Sequence, residues 1–440
     1  MQSHCVRSVL CTLKRPPRRE TRALQPPSRH RGTSSGDDPH GVGRFMQLCV
    51  DRHYVSPGHT NTELFQRGVS CVYGPLGVEL RRNLLEQWWR SVTRSSAQVF
   101  GINTLCRSRD TATGGRGQLG IVESGCLKHL IEKHELSKEQ LIQELEKLIQ
   151  RSTSLRTDFL QGALEQFVPS LDLVNRKLPF GLAEFGPCFR PSDAEVTQTS
   201  LAWFCSPRTS SQWLDHWAQQ RLKWWRKFAL SPSDFSSIDV PAEELEEATS
   251  RGVRIVYSFP WGREPLETLW SRGHTELLQT HKGVHSKLQC RDGRKSVPHV
   301  VSVTGNMDRG VMAFLCNSLQ QLKKEDGMQK LLRRKVLKLH PVLAPVKVAL
   351  DIGRGANMEL RQVRSTSERI ISCCGLTRVS VSMRCRYDEM GVLFAVVVSE
   401  NTLESGLLQV RSRDTTIRET KHISEIKNFL SRYISAADNL

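Results

Sequence analysis

The chain is 440 residues long and carries 63 Lys and Arg against 45 Asp and Glu, a formal net charge of +18. That length allows two or three domains with ample core, and no apolar run reaches the roughly eighteen residues that a membrane-spanning helix needs, so no membrane partner is expected. Counted along the chain, the charge divides as +6 in residues 1–44, +5 in 45–330 and +7 in 331–440, which puts the excess at the two ends and suits contact with nucleic acid.

Residues 1–36 hold Arg7, Lys14, Arg15, Arg18, Arg19, Arg22, Arg29 and Arg31 against the single acid Glu20, with frequent Pro and Ser. This is the composition of a mitochondrial transit peptide; a basic tail that touches nucleic acid, or a nuclear signal, is the rival reading. Residues 1–44 are therefore set outside the fold. At 72–89 the run VYGPLGVELRRNLLEQWW predicts a tight turn, its glycines supplying backbone freedom and Pro75 fixing one φ angle. An amphipathic helix follows, with Leu80, Leu84 and Trp88 on one buried face. Gly114, Gly115 and Gly117 make a loop that lacks the Gly-Lys-Ser/Thr of a phosphate-binding P-loop.

A helical insertion is expected over about 121–175. Ser137 and Gln140 form a capping box, and Leu141, Ile142, Leu145, Leu148 and Ile149 trace one apolar stripe. A second stripe through Leu155, Phe159, Ala163, Gln166 and Phe167 predicts the other arm of an α-hairpin, which packs either on its own core or on a second copy. Trp213, Trp217, Trp224 and Trp225 alternate with Arg221, Lys223, Arg226 and Lys227. Their spacing fits a core-facing helix better than a stacking platform for single strands.

The thirteen cysteines form no C-x-x-C pair, so a structural zinc site or a secreted disulfide framework is not expected. His281 and His285, with His274 and Cys290 nearby, sit around Gly283 in polar surroundings that favour a loop over a metal site. Basic clusters occur at Arg291, Arg294 and Lys295, at Lys323 and Lys324, and at Arg333, Arg334, Lys335 and Lys338. Each is either a solvated face or a set of phosphate contacts for sequence-independent DNA binding. Beyond them, 346–352, 392–399 and 407–411 read as strands. Leu360, Val363, Ile370 and Ile371, then Ile423, Ile426 and Leu430, fall at helical intervals, which argues an α/β domain with a largely parallel sheet. Gly406 is placed to need a positive φ before the third strand.

The stretches 72–89, 337–353 and 387–416 resemble the glycyl-tRNA synthetase branch of the class II aminoacyl-tRNA synthetases. The resemblance implies an α+β core, residues 45–335, built on an antiparallel sheet with the helical insertion. It also implies an anticodon-binding-like α/β domain over 336–440. Synthetases of this type clamp ATP with an Arg from an F-R-x-E strand motif and an Arg from a glycine-rich strand-helix motif. Here Phe189 and Arg190 are followed by Pro191 and Ser192, the return strand read at 201–211 has no carboxylate, and Gly310 takes the second arginine's place, one residue from Arg309. The implied reading is an abandoned active site: no catalysis and no cofactor.

Within that family, NRKLPFGLA at 175–183, the tryptophan-rich run at 208–237, YSFPWGREPLETLW at 257–270 and CRDGRKSVP at 290–298 resemble the offshoot that serves as accessory (processivity) subunits of mitochondrial DNA polymerase. That resemblance implies a homodimer in the mitochondrial matrix, at the nucleoid, which binds the polymerase catalytic subunit and double-stranded primer-template DNA. It tips the insertion toward a helical bundle between subunits, and it assigns polymerase binding to the C-terminal domain around Gly406, Arg411 and Arg413. An active glycyl-tRNA synthetase and an RNA-binding synthetase relative are the alternatives.

Overall fold

The computed structural model describes residues 39–57, 72–94, 98–108, 119–132, 137–190, 194–292, 294–325, 331–352, 378–379 and 387–438. Its core is a seven-stranded sheet in the order Val99–Gly101, Phe180–Arg190, Ala194–Cys205, His299–Asn306, Gly262–Arg272, Thr249–Phe259, Phe235–Asp239. The short edge strand runs parallel to its neighbour and every other pairing is antiparallel. Because side chains alternate along a strand, Leu201, Trp203, Val301, Val303, Leu269 and Ile255 bury one face against the helices Pro75–Thr93, Ser210–Lys227 and Met307–Ser318. Phe180, Leu182, Ala202, Phe204 and Val300 bury part of the other face against Ala163, Leu164, Phe167, Leu171, Leu277 and Leu288.

The 75–93 helix forms as its periodicity predicts, with Leu80, Leu84 and Trp88 fully buried and Pro75 in its first turn. The turn glycines act differently from expectation. Gly74 has φ −78°, a value open to any residue, and what it needs is space: a Cβ there would lie 2.4 Å from the His53 carbonyl oxygen, and one on Gly77 2.0 Å from that of Tyr54. Close backbone approach, not left-handed geometry, demands glycine here.

At the centre of the helical layer Arg221, buried on the 210–227 helix, meets Glu267, buried on the strand Gly262–Arg272. Arg221 Nε donates to Glu267 Oε2 at 2.9 Å and Nη2 to Oε1 at 2.8 Å, while Nη1 donates to Ser91 Oγ at 2.7 Å. Trp88 Nε1 donates to Glu267 Oε1 at 3.1 Å, and the guanidinium lies 4.3 Å from the ring centre of Trp224. Trp217, Trp224 and Trp225 are buried, so the tryptophan-rich helix is a core element.

The insertion departs from the expected hairpin. Lys138–Arg151 is a helix with the capping box formed between Ser137 and Gln140. Thr153–Leu155 is then a strand that pairs with Arg107–Ser108 and Gly120–Ile121. The second stripe breaks into short helices, Leu160–Glu165 and Phe167–Ser170, whose Ala163 and Phe167 pack on the chain's own sheet. Folding also starts earlier than expected, since Pro39–Asp51 is a helix whose Phe45, Met46 and Cys49 join the main core.

The C-terminal strands Val348–Ile352, Phe394–Val398 and Leu407–Ser412 occupy the expected positions, and the helix Ile423–Asp438 buries Ile426 and Leu430. The sheet is mixed rather than largely parallel. Val348–Ile352 is parallel to Arg378–Val379 and Phe394–Val398, but Leu407–Ser412 is antiparallel to both Phe394–Val398 and Arg418–His422. The helical interval through Leu360, Val363, Ile370 and Ile371 lies outside the described residues. This sheet joins the core through Tyr54, whose hydroxyl donates to the Met390 carbonyl at 3.0 Å, and through an ion pair between Arg52 and Glu389.

Glu267→Ala strands the Arg221 guanidinium in the core and should lower unfolding free energy by about 3–5 kcal/mol, measured by urea denaturation with tryptophan fluorescence. A decrease below about 1 kcal/mol, the scale of an exposed pair, would mean that water reaches the site.

Candidate nucleic-acid and partner surfaces

The strand Phe180–Arg190 ends where the first synthetase-like motif ends, and Arg190 pairs in register with Ala194. Pro191 and Ser192 lie outside the described residues. The return strand is Ala194–Cys205, not 201–211, and it carries an exposed carboxylate at Glu195, opposite Phe189. Contrary to expectation, this strand therefore does have an acid.

The third motif differs from expectation as well. Asn306 caps a helix, its side chain accepting from Arg309 N at 2.9 Å, so residues 307–318 are helical and not strand. Adjacent positions then differ by about 100° around the axis, not by a flip to the opposite face. Gly310 points into the helical layer, where a Cβ would sit 2.6 Å from Trp225 and 3.3 Å from Leu84. No arginine fits there. Arg309 is the cation this turn offers, its Nη1 donating to the Pro265 carbonyl at 2.8 Å and its Nη2 standing 3.7 Å from Glu264. Beside it Asp308 is buried, accepting from Tyr73 Oη at 2.8 Å and from Thr197 N at 2.6 Å. Burial holds its carboxyl above the ordinary aspartate range despite those bonds and Arg81. Of the three alterations read from the sequence, the carboxylate-free return strand is corrected by Glu195, Gly310 keeps its place but on a helix instead of a strand, and Pro191 with Ser192 lies outside the described residues.

The basic clusters fall on two antiparallel hairpins. In the ribbon of Leu319–Glu325 with Leu331–Leu337, Lys323 is opposite Arg333, Arg334 opposite Leu322, and Lys335 opposite Gln321. Lys335 and Lys338 are half-buried. This brings together Lys323, Lys324, Arg333, Arg334 and Lys335, which the sequence presents as separate clusters. In the smaller hairpin Cys290–Asp292 with Arg294–Ser296, Arg291 is opposite Lys295, and both are exposed. Arg291 is also bridged to Lys177, which joins Arg176, Lys177 and Lys287 to the neighbourhood. Sequence reading missed Arg176 and Lys177 because they are remote along the chain, and Lys287 because it stands four residues ahead of the Arg291 cluster.

The C-terminal residues assigned to a partner have internal work. Arg413 is buried, its Nη1 donating to the carbonyls of Leu337 at 3.1 Å and Gly391 at 3.0 Å, and its Nη2 to that of Leu339 at 3.0 Å. Arg411 grips Asp388 through two bonds of 3.1 and 3.0 Å. Gly406 ends the helix Glu400–Ser405 with φ 68° and meets His422, which a Cβ would approach to 2.6 Å. All three hold the domain together, so the structure gives each a framework role inside the domain.

His281 Nε2 is hydrogen-bonded to the Leu164 carbonyl at 2.9 Å and His274 stacks on His299, while burial pushes the Cys290 thiol up to about 11. Among the described residues these groups do not converge on one point. No helix there is long and apolar enough to cross a membrane. One apolar surface stays uncovered: Leu141, Ile142, Leu145 and Ile149 on the 138–151 helix, with Leu127 and Ile131 on the helix Ser124–Glu132, are all exposed.

A family model described as "Anticodon binding domain" matches residues 382–433. Among solved structures, prolyl-tRNA synthetase from Cryptosporidium parvum is similar with a TM-score of 0.61 at 13% identity, covering 91% of this chain and 78% of that one. That likeness shows the class II synthetase fold. A glycine–tRNA ligase of Thermus thermophilus is 30% identical, over 88% of this chain and 98% of its own. Proteins named DNA polymerase subunit gamma-2 are nearer: 46% identical in Mus musculus over 93% of this chain and 94% of that protein, and 45% in Bos taurus over 91% and 87%. The Xenopus laevis relative, named DNA polymerase subunit gamma-2, mitochondrial, is 44% identical over 93% and 91%. With the synthetase-like sheet and its C-terminal domain accounted for along nearly their whole length, the chain belongs to the DNA polymerase subunit gamma-2 family.

Proposed function

We propose that the chain is a non-catalytic accessory subunit of mitochondrial DNA polymerase, which binds the catalytic subunit and duplex primer-template DNA and raises processivity. The observation that carries this reading is the 44–46% identity to three vertebrate DNA polymerase subunit gamma-2 proteins over more than nine-tenths of the chain. The word mitochondrial in the name of the Xenopus laevis relative and the basic, proline-rich residues 1–36 support a mitochondrial site of action, in the matrix at the nucleoid.

Duplex binding is supported by the basic ribbon, a two-stranded form that duplex grooves admit, and by the net charge of +18. Phosphate contacts from Arg333, Arg334, Lys335 and Lys338, and from Arg291, Arg294 and Lys295, would carry no sequence preference. A homodimer is supported by the uncovered stripe on the 138–151 helix, since an apolar face of this kind is stable in water only when something covers it. Partner contact stays with the C-terminal domain, now on its exposed outer groups such as Leu407 and Ile417 rather than on Arg411, Arg413 and Gly406.

The second reading, an active glycine–tRNA ligase, keeps one observation in its favour: Arg309 stands at the third motif beside Glu264. The accessory-subunit reading predicts no glycine-dependent exchange of pyrophosphate into ATP and no charging of tRNA; exchange above a blank lacking glycine would overturn it. Replacing Arg333, Arg334, Lys335 and Lys338 with Ala should lower the salt slope of duplex binding by up to about 0.9 for each phosphate that these side chains neutralise. The weakening should be equal for any sequence, and an unchanged slope would reduce the ribbon to an ordinary solvated surface. Ile142→Asp with Leu145→Asp should leave the melting temperature of the chain nearly unchanged and shift its sedimentation toward a monomer. An unchanged dimer mass would move the interface to the 75–93 helix.

A further inference from the structure

We propose that Arg176, Lys177, Lys287, Arg291 and Lys295 form a second phosphate-contacting surface for duplex nucleic acid, built on elements other than the basic ribbon. The proposal rests on the DNA-binding reading above and adds a surface to it. Two segments remote in sequence make it. Residues 172–177 and 282–296 together hold seven Lys and Arg against two acids, Asp172 and Asp292.

Backbone bonds bind the segments together. Arg291 N donates to the Arg176 carbonyl at 2.8 Å, Leu178 N to the Arg291 carbonyl at 3.4 Å, and a parallel bridge joins Lys177 to Arg291. The guanidinium of Arg176 reaches the carbonyls of Lys287 at 3.2 Å and Gln289 at 3.4 Å, which ties in the short helix His285–Leu288. Asn175 and Arg176 are both left-handed, with φ of 50° and 56°, a conformation that side-chain-bearing residues keep only where their surroundings hold it. The register of the 290–296 hairpin then sets Lys295 across from Arg291. Five cations are thus carried on one stitched framework.

All five are exposed, and none has a carboxylate partner among the described residues. Elsewhere on the same domain several arginines are neutralised: Arg251 by Asp215 and Asp239, Arg254 by Glu244, Arg272 by Glu246 and Glu276. An uncompensated group of this kind raises the local positive potential and attracts a polyanion. Duplex fits better than single strand, because these segments expose no Phe, Tyr or Trp on which a base would stack, and His285 is their one exposed ring. A membrane surface fits less well, because Leu173 and Val284 are the exposed large apolar residues here and they lie on separate short elements, not on one amphipathic helix.

The test uses the full-length protein with a 5′-fluorescein duplex, the matching single strand, and phosphatidylcholine vesicles containing cardiolipin. Lys177→Ala with Lys287→Ala, and separately Arg291→Ala with Lys295→Ala, remove exposed ammonium and guanidinium groups and should leave the melting temperature unchanged. Each pair should lower the duplex salt slope by up to about 1.8, two phosphates at about 0.9 each, and weaken duplex binding more than single-strand binding. Unchanged duplex slopes for both pairs, with a steep wild-type slope, would overturn this surface and spare the DNA-binding reading. Abolished vesicle binding with unchanged duplex binding would assign the surface to membrane instead. A wild-type protein without salt-dependent duplex affinity would sink the DNA-binding reading itself.

Discussion

The buried pair of Arg221 and Glu267 constrains the rest of this structure more than any other interaction. Removing two charges from water costs several kcal/mol per ion, a penalty offset only when geometry is good and the remaining donors are satisfied. Here the fork of Arg221 directs Nε and Nη2 to Glu267 and Nη1 to Ser91, while Trp88 takes a further position on the carboxylate. That set can be completed only if the 75–93 helix, the 210–227 helix and the strand Gly262–Arg272 meet in one register. A slide of the 210–227 helix by a turn would leave both charges unpaired in the core, and a slide of the 75–93 helix would strip Ser91 and Trp88 from them. The tryptophans belong to the same requirement: Trp224 lies against the guanidinium and Trp225 stacks on Phe314, so none of this aromatic surface is available to a nucleic-acid base.

A second polar lock fixes the C-terminal domain to that layer. Tyr54 is fully buried and burial pushes its hydroxyl far up, so it remains a proton donor to the Met390 carbonyl. Arg413 reaches back to Leu337 and Leu339, which lead out of the ribbon strand, and Asn83 on the 75–93 helix donates to the Leu343 carbonyl at 3.2 Å. The core cluster runs without a break from Leu84 through Leu339 and Val346 to Phe394. A module held by buried hydrogen bonds on both sides of its linker does not swing as a tethered reader of nucleic acid would. Any partner meeting it also meets a fixed orientation of the sheet core.

Periodicity made the 75–93 helix and the 138–151 helix legible, because an apolar stripe and a capping box are local signals. The α-hairpin failed because Thr153–Leu155 takes its backbone partners from Arg107–Ser108 and Gly120–Ile121, pairings that no local period announces. The strand reading at 309–310 had a readable cure: Asn306 is an N-cap residue just ahead of the run from Met307, and a helix there changes which neighbour faces the core. Charge was legible along the sequence, and its distant partners were not. Arg411 and Arg413 look like a surface cluster along the sequence, yet one serves Asp388 and the other three carbonyls and the adjacent Asp414. Arg291 and Lys295 look no different along the sequence, and among the described residues they have no carboxylate partner.

The distribution of cations in space follows from these constraints. From 290 to 337 the chain runs basic hairpin, central strand, buried helix and basic ribbon. The middle two are packed on all sides: His299–Asn306 is hydrogen-bonded to a strand on either side, and on the 307–318 helix Gly310 lies close against Trp225. Both hairpins leave the ends of one strand-helix unit packed in the core. For a polyanion with regularly spaced phosphates, a fixed spacing of cations lowers the ordering cost of binding, whereas the same charges on a flexible tail would give up part of that gain to entropy. On the reading proposed above, this strand-helix unit is the spacer between two basic hairpins, and that role needs no change in the sheet beneath it.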